Sequence, residues 1–144
     1  MLFLEQGDAA APSAEKANAS TDELPERSDV SESVSKFLVN CRRHNLPQEL
    51  IEAVRRLLAF AHSIEPFYLT EGEQRKWTAT PNFIALTIQN RNRQLLISVK
   101  GDPSMMDYAS IQPKVSRRPY CEFHFNSASQ LDDTLDIVRQ SIQY

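Results

Sequence analysis

The sequence predicts an α+β domain: an N-terminal helix pair, a small antiparallel sheet of three to four strands, and a C-terminal helix packed on the sheet. Three observations lead there. Residues 29–43 and 47–63 carry apolar side chains three and four apart, the period of a helix with one buried face. Residues 83–88 and 95–99 are two β-prone runs joined by the polar turn Asn90-Arg91-Asn92, which reads as a hairpin. The chain closes on Leu131, Leu135, Val138 and Ile142, again at helical spacing.

Residues 5–28 are rich in Ala, Ser, Glu, Asp and Pro, and Leu24 is their only large aliphatic residue. Such a segment buries too little apolar surface to offset the entropy of ordering it, so 1–28 is expected to be a disordered acidic tail and 29–144 a single domain. The first helix presents Val30, Val34, Phe37, Leu38 and Cys41. Ser28 or Asp29 suits its start, Asp29 and Glu32 suit its positive end, and Arg42 and Arg43 its negative end. Asn45-Leu46-Pro47 interrupts the chain. Pro47 then suits a first turn, and Leu50, Ile51, Val54, Leu57, Leu58 and Ala61 form the buried side of the second helix. Glu52 precedes Arg55 and Arg56 by three and four residues and partners them within that helix.

Phe67-Tyr68-Leu69 reads as a short strand, Glu71-Gly72-Glu73 as a turn, and Trp77-Thr78 as an edge strand ended by Pro81. The run 83–88 is apolar on both faces, which suits a central strand or one covered on both sides. Residues 101–119 form a long loop with three prolines, a length that usually signals function or disorder. In the strand 120–125, Cys121, Phe123 and Phe125 alternate with polar neighbours and should face the core. Ser127 with Gln130, or Ser129 with Asp132, supplies a capping box for the last helix.

Composition excludes several classes. No apolar run approaches the roughly 20 residues needed to cross a bilayer, so no membrane role is expected. Met1-Leu2-Phe3-Leu4 meets Glu5 at once, which leaves no signal-peptide core, and a cytoplasmic location is the expectation. Two cysteines cannot make a disulfide scaffold, and three glycines leave no room for a glycine-rich phosphate cradle. The net charge of −3 hides an asymmetry. Residues 1–28 hold six acids and two bases, a balance of −4, whereas residues 34–120 hold 13 bases and seven acids, a balance of +6.

Catalytic and metal chemistry find little support. Cys41-Arg42-Arg43-His44 and Cys121-Glu122-Phe123-His124 share the C-x-x-H spacing of a zinc site, but strand residues three apart point to opposite faces, so no metal is expected. Cys121 with His62 or His44 lacks a nucleophile elbow or an oxyanion turn. The hairpin strands contain no acid, which argues against a nuclease of the common restriction type. The expectation is a non-enzyme without cofactors.

Binding has more behind it. Arg75, Lys76, Arg91, Arg93, Lys114, Arg117 and Arg118 fall in predicted loops or at strand ends, and Trp77, Tyr108 and Tyr120 lie near them in sequence. Arginine beside exposed aromatic rings is what single-stranded nucleic-acid binding uses. These basic residues with Trp77 form the candidate ligand surface. Nucleic acid is the first expected partner, and a protein partner of immunity or regulatory type the alternative; oligomeric state is not readable.

The segments Asn82-Phe83, Gly101-Asp102-Pro103 and Phe123-His124-Phe125-Asn126-Ser127, with Leu131-Asp132-Asp133-Thr134-Leu135, carry a resemblance. Over about residues 30–144 the chain resembles a small bacterial α+β domain of unknown function, found alone or behind nuclease-like domains and often labelled "predicted transport protein". The resemblance implies leading helices, a hairpin after an Asn-Phe start, an aspartate-containing loop, a last strand and a closing helix. It brings no catalytic residues, and implies an accessory role near nucleic acid or defence systems. The chain departs from that pattern at Pro113–119, where the family carries glycine, and before Asn82, where the family is more basic and tyrosine-rich.

Overall fold

Helix α1 (Glu32–Arg43) begins at Ser31, whose Oγ accepts a hydrogen bond from the Val34 N–H at 3.4 Å. The computed structural model describes residues 31–144; the expected tail at 1–28 and the expected caps Ser28 and Asp29 lie outside them. Val34, Phe37, Leu38 and Cys41 are buried as their spacing requires, and Arg42 and Arg43 occupy the last turn. The chain then turns at Asn45, which has a φ of 64°. Helix α2 (Gln48–Ile64) starts after Pro47, whose carbonyl accepts from Leu50 and Ile51 N–H. Its buried face adds Ala53 to the expected residues, because α2 packs against both other helices.

The sheet is larger than the sequence predicts. Among the described residues it has six strands, all antiparallel to their neighbours, in the order β1-β2-β3-β4-β6-β5. They are β1 (Tyr68–Glu71), β2 (Lys76–Thr80), β3 (Ile84–Gln89), β4 (Gln94–Lys100), β5 (Lys114–Val115) and β6 (Tyr120–Phe125). Trp77 does not lie on an edge: β2 sits between β1 and β3. The strand β5, two residues long, escapes sequence reading because it is polar and lies within the long proline-containing loop.

Register sorts the side chains. Trp77, Leu86, Ile97 and Phe123 stand opposite one another across β2, β3, β4 and β6 and are all buried. One residue along, Thr78, Ala85, Ser98 and Glu122 form the matching row on the other face. One face is therefore apolar and carries the core, and the other is small and polar, as a two-layer domain with a one-sided sheet requires. The edge strand β1 is guarded by α1: Ser33 Oγ accepts from the Leu69 N–H at 2.9 Å.

The closing helix α3 (Leu131–Gln143) follows a turn, Ala128–Gln130, with the expected Ser127–Gln130 capping box. Gln130 Oε1 accepts from the Ser127 N–H at 3.1 Å, and Ser127 Oγ accepts from the Ser129 N–H at 3.2 Å. The buried line of α3 differs from the expected stripe. Thr134, Ile137, Val138 and Ser141 are buried, while Leu131, Leu135 and Ile142 flank the core half-buried. Two hydroxyls can occupy that line because both are bonded. Thr134 Oγ1 donates to the Gln130 carbonyl at 2.7 Å, and Ser141 Oγ donates to the Phe83 carbonyl at 2.8 Å while accepting the Lys100 N–H at 3.0 Å.

The long loop 101–119 is tied down. Met106 and Ile111 are buried in the core. Tyr108 Oη donates to Asp136 Oδ2 at 2.5 Å and accepts from Gln140 Nε2 at 2.6 Å; Ser110 Oγ donates to Asp133 Oδ2 at 2.5 Å. At its start Gly101 adopts a φ of 152°, and a Cβ there would collide with Met106 Cε.

Candidate functional site

The candidate basic residues fall into two groups at opposite ends of the sheet. The first lies where β3 turns into β4. Arg91 is exposed in that turn. Arg93, also exposed, has a φ of 55° and donates from Nε to the Asn45 carbonyl at 2.8 Å, bridging to the α1–α2 connection. Arg75 precedes β2 with a φ of 62° and donates from Nε to the Ile88 carbonyl at 3.1 Å. Lys76 opens β2 opposite Thr87. The second group is Arg117 and Arg118, in the turn leading to Tyr120, while Lys114, paired with Glu122 in the row of Ser98, stands between the two ends. Tyr120 stands opposite Lys100, at the other end of β4 from the first group. A strand of seven residues spans about 20 Å, so the two groups do not make one ligand surface.

The aromatic part of the expectation is corrected. Trp77 is 4% exposed and packs edge-on to Phe37 with ring centroids 5.5 Å apart. The β2 pleat sends odd-numbered residues to the core, so this indole cannot stack on a base. Its Nε1 is buried without a hydrogen-bond partner among the described residues. Tyr108 is half-buried and held by Asp136 and Gln140, and Tyr120 belongs to the far end, where its hydroxyl accepts from Asn82 Nδ2 at 2.8 Å.

The hairpin end holds more than the sequence reading assigns to it. Arg42 and Arg43, read only as helix-end charges, are exposed beside the connection that Arg93 grips. Among the described residues four non-glycine residues adopt positive φ, Asn45, Gln74, Arg75 and Arg93, and all four lie in the three connections gathered here. Each such residue costs about 1 kcal/mol or more, and backbone held this way clusters at functional sites. Gln94 Nε2 donates to Gln89 Oε1 at 2.6 Å, and Asn126 Nδ2 reaches Gln94 Oε1 at 3.4 Å, a chain of side-chain amides along the same end. Among the described residues no carboxylate forms an ion pair with Arg42, Arg43, Arg75, Lys76, Arg91 or Arg93. Glu71 and Glu73 bound this surface on the β1 side. Gln74, Arg75 and residues 87–92 line a shallow, open depression there.

Sequence adjacency conceals this cluster, because its cations come from three separate connections. Only positive-φ propensity at Asn45 and the polar turn at 90–93 hint at it.

The thiols are unsuited to nucleophilic work. Burial, against the opposing charge of Arg42, pushes Cys41 up to about 12. Burial, with Asp102 and Glu122 nearby, pushes Cys121 up to about 11. Both are therefore neutral thiols at physiological pH. Cys121 Sγ lies 3.7 Å from Met106 Sδ, while His124, three residues on, is exposed on the opposite face. No helix among the described residues is long and apolar enough to cross a membrane.

No family model, curated protein or solved structure matches the chain.

Proposed function

We propose that this chain is a non-catalytic nucleic-acid-binding domain whose contact surface is the hairpin end of the sheet. One observation carries the reading: Arg42, Arg43, Arg75, Lys76, Arg91 and Arg93 gather there without a carboxylate paired to any of them among the described residues. Unpaired surface cations favour a polyanion, and phosphate contacts release condensed counterions. Two arginines are braced by bonds from Nε to backbone carbonyls, which lowers the entropy lost on binding. The two thiols, buried and neutral, are poor candidates for a cysteine nucleophile. The resemblance to a domain found behind nuclease-like domains agrees with this reading by analogy.

The test is fluorescence anisotropy with a labelled oligonucleotide. Changing Arg42, Arg43 and Arg91 together to Gln should abolish binding at low salt, with an unchanged urea midpoint. Changing Arg117 and Arg118 to Gln should leave binding intact. The opposite pattern overturns the placement.

A protein partner is the second reading, favoured by the far end. Val115 and Tyr144 are 52% and 68% exposed and flank a recess lined also by Pro103, Arg118 and Pro119. Salt separates the two: phosphate binding weakens steeply with added salt, and an apolar contact does not.

A further inference from the structure

We propose that the hairpin end takes a DNA duplex rather than a single strand, with the β3–β4 tip entering a groove; this rests on the nucleic-acid reading above. Single-stranded binding depends on large aromatic platforms, and among the described residues the hairpin end exposes no Phe, Tyr or Trp ring. Trp77 is in the core, Tyr108 is tied to α3, and Tyr120 lies at the opposite end of the sheet. Tyr68, the exposed ring of β1, stands opposite Thr80, also at that opposite end.

The shape of the tip fits a groove. On one side the pairing of β2 stops at Thr87; on the other, that of β6 stops at Leu95. Beyond Leu95 and its partner Ile88 come the Gln89–Gln94 pair and the four turn residues 90–93. The tip runs past the last paired rungs of β2 and β6, braced by Arg75 Nε on the Ile88 carbonyl and by Arg93 Nε on the Asn45 carbonyl, so the residues that lead into a groove are Asn90, Arg91 and Asn92. A two-stranded ribbon also matches the width of the major groove.

The chemistry of the tip fits the same ligand. Asn90, Arg91, Asn92 and Arg93 are all exposed. Guanidinium and carboxamide are the groups that make paired hydrogen bonds to base edges. The flanking cations stand where the two phosphate backbones pass: Arg75 and Lys76 on the β2 side, Arg42 and Arg43 on the α1 side. The tip therefore reads and the flanks position, the division of labour seen in duplex recognition. The bond from Arg93 to the Asn45 carbonyl fixes the tip relative to the α1 flank.

The experiment compares three labelled probes of one sequence with the full chain: a 20-base-pair DNA duplex, one of its strands alone, and the corresponding RNA duplex. The DNA duplex should bind at least roughly tenfold more tightly than the single strand, the worth of one paired base contact. The charge-neutral double change Asn90→Ala and Asn92→Ala should erase that preference while leaving the salt dependence and the urea midpoint unaltered. Lys76→Gln, on the flank, should lower the slope of log affinity against log salt by about one. Equal or tighter binding of the single strand overturns the duplex inference and leaves the nucleic-acid reading standing. Tighter binding of the RNA duplex overturns the choice of DNA. Failure of every probe to bind at low salt overturns both.

Discussion

At the scale of single residues, Trp77 is the most instructive. The sequence places it in a basic, turn-rich stretch, where it reads as a stacking ring; the pleat of β2 places it against Phe37 instead. A period-2 pattern over five residues was available, but Lys76, Thr78 and Thr80 made the stretch look exposed throughout. Trp77→Phe removes the buried, unpartnered indole N–H and a little volume, two effects of about 1 kcal/mol and opposite sign. The expected outcome is a urea midpoint close to that of the parent and unchanged nucleic-acid affinity. Lost affinity in a stably folded variant would put the ring back on the binding surface. Gly101 makes a sharper demand. Gly101→Ala meets both an unfavourable φ and the Met106 methyl, and should destabilise by about 1–3 kcal/mol in urea unfolding.

At the scale of elements, the helices were legible because each has a strong 3.6-residue period. What periodicity cannot convey is which polar residues hide on the buried line. Thr134 and Ser141 replace Leu131 and Leu135 at the centre of the α3 contact, because each hydroxyl finds a backbone partner. Ile137→Ala should therefore cost about 2–5 kcal/mol, and Leu135→Ala, at a half-buried position, clearly less. Equal costs would contradict this packing. The strands β3, β4 and β6 were legible from β-prone or alternating patterns; β1 and β2 were legible only as the shorter runs 67–69 and 77–78, and β5, two exposed residues held by tertiary pairing, was not. The loop 101–119 was expected to signal function or disorder, but its tethers make it a strap across α3. Burial first, then the bond to Asp136, pushes the Tyr108 hydroxyl up from 10.0 to about 12. The fold thus favours the neutral phenol, and its contribution is full below pH 10 and lost as pH rises towards about 12. The tyrosine hydroxyl, with Arg139, also holds Asp136 below the usual carboxylate range, so that contribution persists above the ordinary value and fades as pH falls through the lowered one. Tyr108→Phe should flatten both limbs of the stability–pH curve measured by urea unfolding. An unaltered curve would mean the strap is held by Met106, Ile111 and the Ser110–Asp133 bond without help from Tyr108.

For the molecule as a whole, the basic middle of the sequence was legible from charge counting, but its division into two groups was not. That division follows from strand order, which puts β5 and the β3–β4 turn at different ends and on different strands. Residues 1–28 carry a balance of −4 tethered to the same domain. Under the nucleic-acid proposal this tethered negative charge is expected to compete with phosphate for the hairpin end, screened over about 8 Å at physiological salt and over a longer distance at low salt. Deleting 1–28 should tighten DNA binding at low salt and change it little at high salt; an unchanged low-salt affinity would show that this charge acts elsewhere. The hydroxyl of Ser33 has a consequence on a different scale. An outermost strand with free main-chain groups is a template on which another chain can add itself, and repeated addition yields fibrils. By occupying the Leu69 N–H, Ser33 removes one rung of that template. Ser33→Ala is expected to leave the chain folded by circular dichroism and to shorten the lag time of fibril growth at high concentration; an unchanged lag time would show that this rung stays closed without the hydroxyl.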